Sequence, residues 1–205
     1  MTTTRTRRAL IVVDVQNDFV EGGSLPVTGG RDVASKIAEH LLSKRADYDL
    51  IVPSRDHHDD QSDNGGHFHA PGVDPDFTDT WPVHCVAGTY GAQWADEIGA
   101  ALRHTADGLV SKGQGEAAYS AFEGVDQDGH SLDALLHAAA ITDVDICGIA
   151  TDYCVKATAL DAVRLGFRAR LLPGLHAGVA PETTGAAIAE MAGRGVEVAE
   201  GASKP

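Results

Sequence analysis

Long apolar runs are missing from this 205-residue chain. The first candidate, ALIVV, is cut short by Asp14. It falls below the roughly 7 to 15 apolar residues of a secretory signal, and nothing later approaches the ~18 needed to span a bilayer. The expectation is a cytoplasmic protein without a membrane partner, a single domain over 1–205 with flexible tails at 1–7 and 201–205. Positive charge is scarce as well: 16 Lys and Arg stand against 30 Asp and Glu, a net charge of −14. Such a surface repels a phosphate backbone, which argues against nucleic acid as a partner. Cysteine is rarer still. Three thiols, far apart and without a CxxC pair, make no disulfide framework and fit free thiols in a reducing compartment. Internal repeats, linkers and low-complexity tracts are absent too.

What the chain has is alternation. Short, continuously apolar runs at 9–15, 50–54, 108–111, 144–149, 168–172 and 195–199 read as strands. Between them, 32–46, 91–102, 131–140, 152–165 and 181–192 read as helices. This order predicts an α/β fold, a mostly parallel six-stranded sheet with helices on both faces. The stretch from 55 to 90, rich in Asp, His, Gly and Pro, has no periodicity. A loop of that length inside a compact domain is usually functional.

Ligands of open parallel sheets collect beyond the carboxyl ends of the strands. Asp14 falls at the end of the first run, Asp56 and His58 just past the second, Lys112 past the third and Cys154 past the fourth. Four strands thus deliver reactive side chains to one edge. Cys154 is placed in the first turn of the helix 152–165, where free N–H groups and the helix dipole lower a thiol pKa. Taken alone it reads as a small packed hydrophobe; with partners it reads as a nucleophile. Cys147, inside a strand, and Cys85 read as packing. Asp14 is the candidate proton shuttle and Lys112 the cation that balances it. An oxyanion would be received by backbone N–H groups around Ala150 and Cys154.

The loop from 55 to 85 holds Asp56, His57, His58, His67, His69 and His84, with five of the ten histidines of the chain. Oxygen and nitrogen donors without thiolate suit one divalent ion, zinc, iron(II) or manganese(II). Solvated histidines of a polar loop are the alternative.

The segments ALIVVDVQNDFVEGGSLPVTGG, WPVHCVAGT, AYSAFEGVD and GIATDYCVKATALDAV occur in that order. In them the chain resembles the nicotinamidase (pyrazinamidase) branch of the isochorismatase-like hydrolases, from about Ala9 to Ala199. The resemblance implies that Asp14, Lys112 and Cys154 are the catalytic triad and that Asp56, His58, His67 and His84 ligate the metal. It implies a cis Ile149–Ala150 peptide that aims the Ala150 N–H at the oxyanion. Phe19, Trp81, Tyr119, Ile149 and Tyr153 would line the pocket of an aromatic ring. Two departures stand out: the gap from His58 to His67 is longer than usual, with His57 and His69 as extra candidates, and Tyr153 stands where similar enzymes often carry histidine. The implied activity is a metal-dependent amidase that takes a small aromatic amide, nicotinamide and also pyrazinamide, through a cysteine thioester. The rivals are a carbamoyl or ureido amidohydrolase or an isochorismatase of the same superfamily, and a non-catalytic binding protein. A homo-oligomer stays open, since no exposed helix face stands out.

Overall fold

The computed structural model describes residues 6–199. Strand β1 (Arg8–Val13) explains the unbroken run ALIVV. Successive strand residues point to opposite faces. Leu10 and Val12 enter one apolar cluster, and Ala9, Ile11 and Val13 enter another on the opposite side. A strand buried on both faces has no place for alternating polar residues.

Beside β1 run β2 (Leu50–Asp56) and β4 (Asp143–Ile149), both parallel to it. The sheet is completed by β3 (Val110–Lys112), β5 (Arg168–Ala177) and β6 (Glu197–Val198) in the order β3-β2-β1-β4-β5-β6. The expected mostly parallel sheet is parallel throughout. One face is covered by α1 (Gly30–Lys44) and α2 (Asp96–Thr105), through Ile37 and Leu41 of the first and Ile98 and Leu102 of the second. These i, i+4 pairs lay one stripe on the sheet, at roughly 1.5–3 kcal/mol per buried aliphatic side chain. The other face is covered by α3 (Leu132–Ala138), α4 (Lys156–Arg164) and α5 (Pro181–Gly193).

The boundaries differ from expectation where local hydrogen bonds compete with periodicity. Residues 91–95 are not helical, because the β1–α1 connection claims their carbonyls: Asn17 N–H donates to Gln93 O at 2.9 Å and Asp18 N–H to Gly91 O at 3.0 Å. The helix expected from Asp152 opens one residue earlier as a π-helical turn, Thr151–Val155, before α4 begins. Strand β5 runs five residues past Leu172, shifting register beside β4 between Ile146 and Gly148. Arg7, expected in a tail, accepts backbone hydrogen bonds from Thr142 at 3.0 Å and Asp143 at 3.2 Å. Residues 1–5 and 201–205 of the expected tails lie outside the described residues. Among the described residues no helix is long and apolar enough to cross a membrane.

Candidate active site

In the order β3-β2-β1-β4-β5-β6 the chain direction of assembly reverses between β1 and β4, and a crevice opens there past the strand ends. Asp14 leaves β1 in the left-handed region, φ 49°, which aspartate tolerates better than most residues. Across from it, Gly148 lies so near β1 that a Cβ would meet Val13 O at 2.1 Å, and its φ of 126° also calls for glycine. The close approach brings the residue after β1 and the turn after β4 to one crevice.

Asp14, Lys112 and Cys154 come together there, all buried. Lys112 Nζ stands 3.0 Å from Asp14 Oδ2 and 3.7 Å from Cys154 Sγ, donates to Ala118 O at 3.2 Å, and pairs with Asp56. Ser54 Oγ donates to Asp14 Oδ1 at 2.8 Å. Asp14 Oδ2 is badly angled to the ammonium and has no hydrogen-bond partner of its own. Burial raises the Asp14 pKa above the ordinary carboxylate value, against the pull of Lys112. Burial also lowers the tendency of Lys112 to stay charged, but the two carboxylates outweigh it and the ammonium holds its proton firmly.

The expected depression of the Cys154 pKa does not occur. Burial pushes the thiol well above its usual value, and the nearby Asp14 and Asp56 charges add to this, with Lys112 opposing. The helix-end effect fades because the thiol sits in a dry crevice between two carboxylates. The resting group is a thiol, with the Asp14 carboxylate nearby.

His58, His67 and His84 converge, each offering one nitrogen within 4.8 Å of the others. His58 Nδ1 is turned to Gly113 O at 2.8 Å and His84 Nδ1 to Pro82 O at 2.6 Å, which frees both Nε2 atoms for the interior. Gly113 is needed for this, since a Cβ there would fall 2.5 Å from the His58 ring. Asp56 Oδ2 lies 3.7 Å from both Nε2 atoms. Burial pushes Asp56 up, but the Lys112 ammonium and the neighbouring His58 and His84 rings hold it well below the usual carboxylate range. His67 is brought down to about 4 by burial and by its two histidine neighbours, so it is neutral with a lone pair to give. His58 Nε2 and His67 Nδ1 are buried without a hydrogen-bond partner. Orphaned imidazole nitrogens beside an ionised carboxylate fit a divalent cation. His57 and His69 stay outside: His57 lines a surface groove, and His69 Nδ1 faces Val73 O at 2.6 Å.

Phe19, Trp81, Tyr119, Ile149 and Tyr153 line one narrow pocket with Ala150 and Cys154, and His67, His84 and Asp56 form its far end. The Ile149–Ala150 peptide is cis. Three rings frame the pocket: Trp81 meets Tyr153 edge-on at 5.0 Å, Tyr119 stacks with Tyr153 at 6.4 Å, and Trp81 Nε1 donates to Tyr119 Oη at 3.0 Å.

Sequence reasoning missed the supports. Gln16, fully buried, donates to Asp56 O and Ala92 O at 2.9 Å each and accepts from Asp56 N at 2.8 Å, tying the metal-side strand end to the β1 exit. Asp152 holds the wall that carries Val179, accepting from Val179 N at 3.0 Å and Thr183 Oγ1 at 2.5 Å. Leu25, Val27 and Ala118 complete the lining. Polar residues flanking a reactive position were the available signal for Gln16, Ser54 and Asp152; the aliphatic liners carry none.

Fold and site together define a parallel α/β domain with a buried thiol and a histidine cluster at one sheet edge. The isochorismatase domain matches residues 8–203, and the chain belongs to that family. It is 46% identical over 191 residues to the nicotinamidase/pyrazinamidase of Mycobacterium tuberculosis, covering 93% of this chain and 97% of that protein. Among solved structures it is similar to the pyrazinamidase of Pyrococcus horikoshii in complex with zinc, with 37% identity, a TM-score of 0.79, and 95% and 99% of the two chains covered. It is also similar to PnC1 from L. infantum in complex with nicotinate, with 33% identity, a TM-score of 0.78, and 97% and 95% covered.

Proposed function

We propose that this chain, acting as one domain, hydrolyses nicotinamide to nicotinate and ammonia, and pyrazinamide likewise, with Cys154 as nucleophile. The observation that carries the reading is the buried Asp14 carboxylate, paired with Lys112 at 3.0 Å, beside a buried thiol that faces a ring-lined pocket.

The chemistry follows from those groups. A carboxylate whose pKa is raised by burial is a stronger base, and the thiol proton passes to Asp14 as sulfur attacks the carboxamide carbon. The carbonyl π electrons move to oxygen, and the backbone N–H groups of Ala150 and Cys154 receive that oxyanion. On collapse the C–N bond breaks, Asp14 returns its proton to nitrogen, and ammonia leaves a thioester. Water then gives a proton to Asp14, its oxygen adds to the thioester carbon, and the C–S bond breaks with the proton returning to sulfur. Lys112 stays charged throughout and keeps Asp14 from repelling the nascent thiolate.

Asp56, His58, His67 and His84 would hold a divalent cation, and the zinc-bound relative favours zinc among zinc, iron(II) and manganese(II). When bound, the ion supplies an open position for the ring nitrogen, which orients the amide. The rings of Phe19, Trp81, Tyr119 and Tyr153 enclose the flat heterocycle and exclude water. A ureido or carbamoyl substrate offers no such ring to this apolar lining. Ammonia release from nicotinamide, pyrazinamide and a carbamoyl compound tests the reading: turnover of the first two only is expected, and turnover of the carbamoyl compound alone would refute it.

A further inference from the structure

The chain carries fourteen excess acidic charges, and most of its described arginines are paired with a carboxylate. Among the described residues Arg55, Arg103 and Arg194 are without such a partner, and two of the three line the same groove. Arg55 lies in β2 between Ser54, which holds Asp14, and Asp56, which holds Lys112. Alternation along the strand sends its side chain to the opposite face, away from the thiol. It is half-buried, and its one side-chain bond is Nε to Ser111 Oγ at 3.0 Å.

Arg55 and His57 line a groove of about 500 Å³ together with Trp94, just before α2, and Arg103 of α2. Gly99 stands in the interior of α2, where glycine is a poor helix former. A Cβ there would meet the Arg103 guanidinium at 3.4 Å and Trp94 Cβ at 3.7 Å, so Gly99 lies on the floor between them. Asp96, a carboxylate that also lines the groove, accepts from the Tyr90 hydroxyl at 2.7 Å.

We propose that this groove is a second ligand site, independent of the amide pocket, which takes the phosphate group of a phosphorylated small molecule on Arg55 and Arg103. A planar guanidinium with free N–H groups matches phosphate oxygens two at a time, and a partly buried, uncompensated cation favours an anion over water. Because Arg55 lies between two residues that brace the triad, its occupant touches the strand that supports catalysis.

Calorimetric titration of the full chain with pyrophosphate in phosphate-free buffer tests this, with inorganic phosphate and ADP as parallel arms that separate a bare anion from a nucleotide. One saturable site per chain is expected, weakened at least about tenfold in Arg55→Met and in Arg103→Met, and lost in the double variant. Arg103 is exposed on its helix, so that variant keeps the fold. No saturable binding, wild-type affinity in either variant, or inhibition competitive with the amide overturns the proposal. Variants that change self-association and leave pyrophosphate binding intact overturn it as well, by showing that the arginines face another copy of the chain.

Discussion

Lys112 Nζ stands 3.0 Å from Asp14 Oδ2 and on its other side pairs with Asp56. One buried ammonium therefore joins the proposed proton shuttle to the proposed metal cluster. In Lys112→Met two buried carboxylates lose their only described lysine or arginine partner. Removing one member of a buried charge set costs about 3–5 kcal/mol, which urea unfolding will read, and ammonia release should fall below about a thousandth of wild type. A variant of unchanged stability would mean that the pair is not electrostatically coupled.

Ser54 Oγ donates to Asp14 Oδ1 and favours its ionised form. In the proposed mechanism the base form is the active one, so kcat/KM should be lost as pH falls through a pKa already raised by burial. Ser54→Ala removes a bond to the charged form, and the acidic limb of the profile should move up by about one pH unit. An unmoved or downshifted limb would assign that limb to another group.

Gln16 satisfies three backbone groups in the interior. Gln16→Leu leaves Asp56 N, Asp56 O and Ala92 O without their partner. About 2–3 kcal/mol of stability should be lost, together with weaker retention of a divalent ion in equilibrium dialysis. Loss of stability with unaltered metal retention would show that Gln16 does not position Asp56.

Chelation should raise KM for nicotinamide more than it lowers kcat, and one added divalent ion should restore it. Benzamide, which has the ring but no ring nitrogen, should show a KM indifferent to chelator. Equal sensitivity of both amides would remove the anchoring role of the His58, His67 and His84 cluster.

Much of this architecture was legible because burial on both faces leaves a plain mark. The runs around Ile11, Val52 and Ile146 could hardly be anything but central strands, and the residues just past them came to one edge as the topology requires. Helix ends were less legible: the start of α2 is set by bonds from Asn17 and Asp18, more than seventy residues away in sequence. The extension of β5 past Pro173 and Gly174 was hidden by residues that usually end strands. The thiol pKa was misjudged because helix position is local and visible, whereas burial and the charges of Asp14 and Asp56 arise from tertiary packing. Supports such as Gln16 and Asp152 show their role only through partners distant in the chain.

The covalent role of Cys154 is tested most directly by acid-quenching the enzyme during turnover of nicotinamide and weighing the intact protein and its peptides. A nicotinoyl adduct on the peptide that contains Cys154, present in wild type and absent from an inactive Cys154→Ala variant, is the predicted result. Ammonia release near the wild-type rate by Cys154→Ala would contradict it.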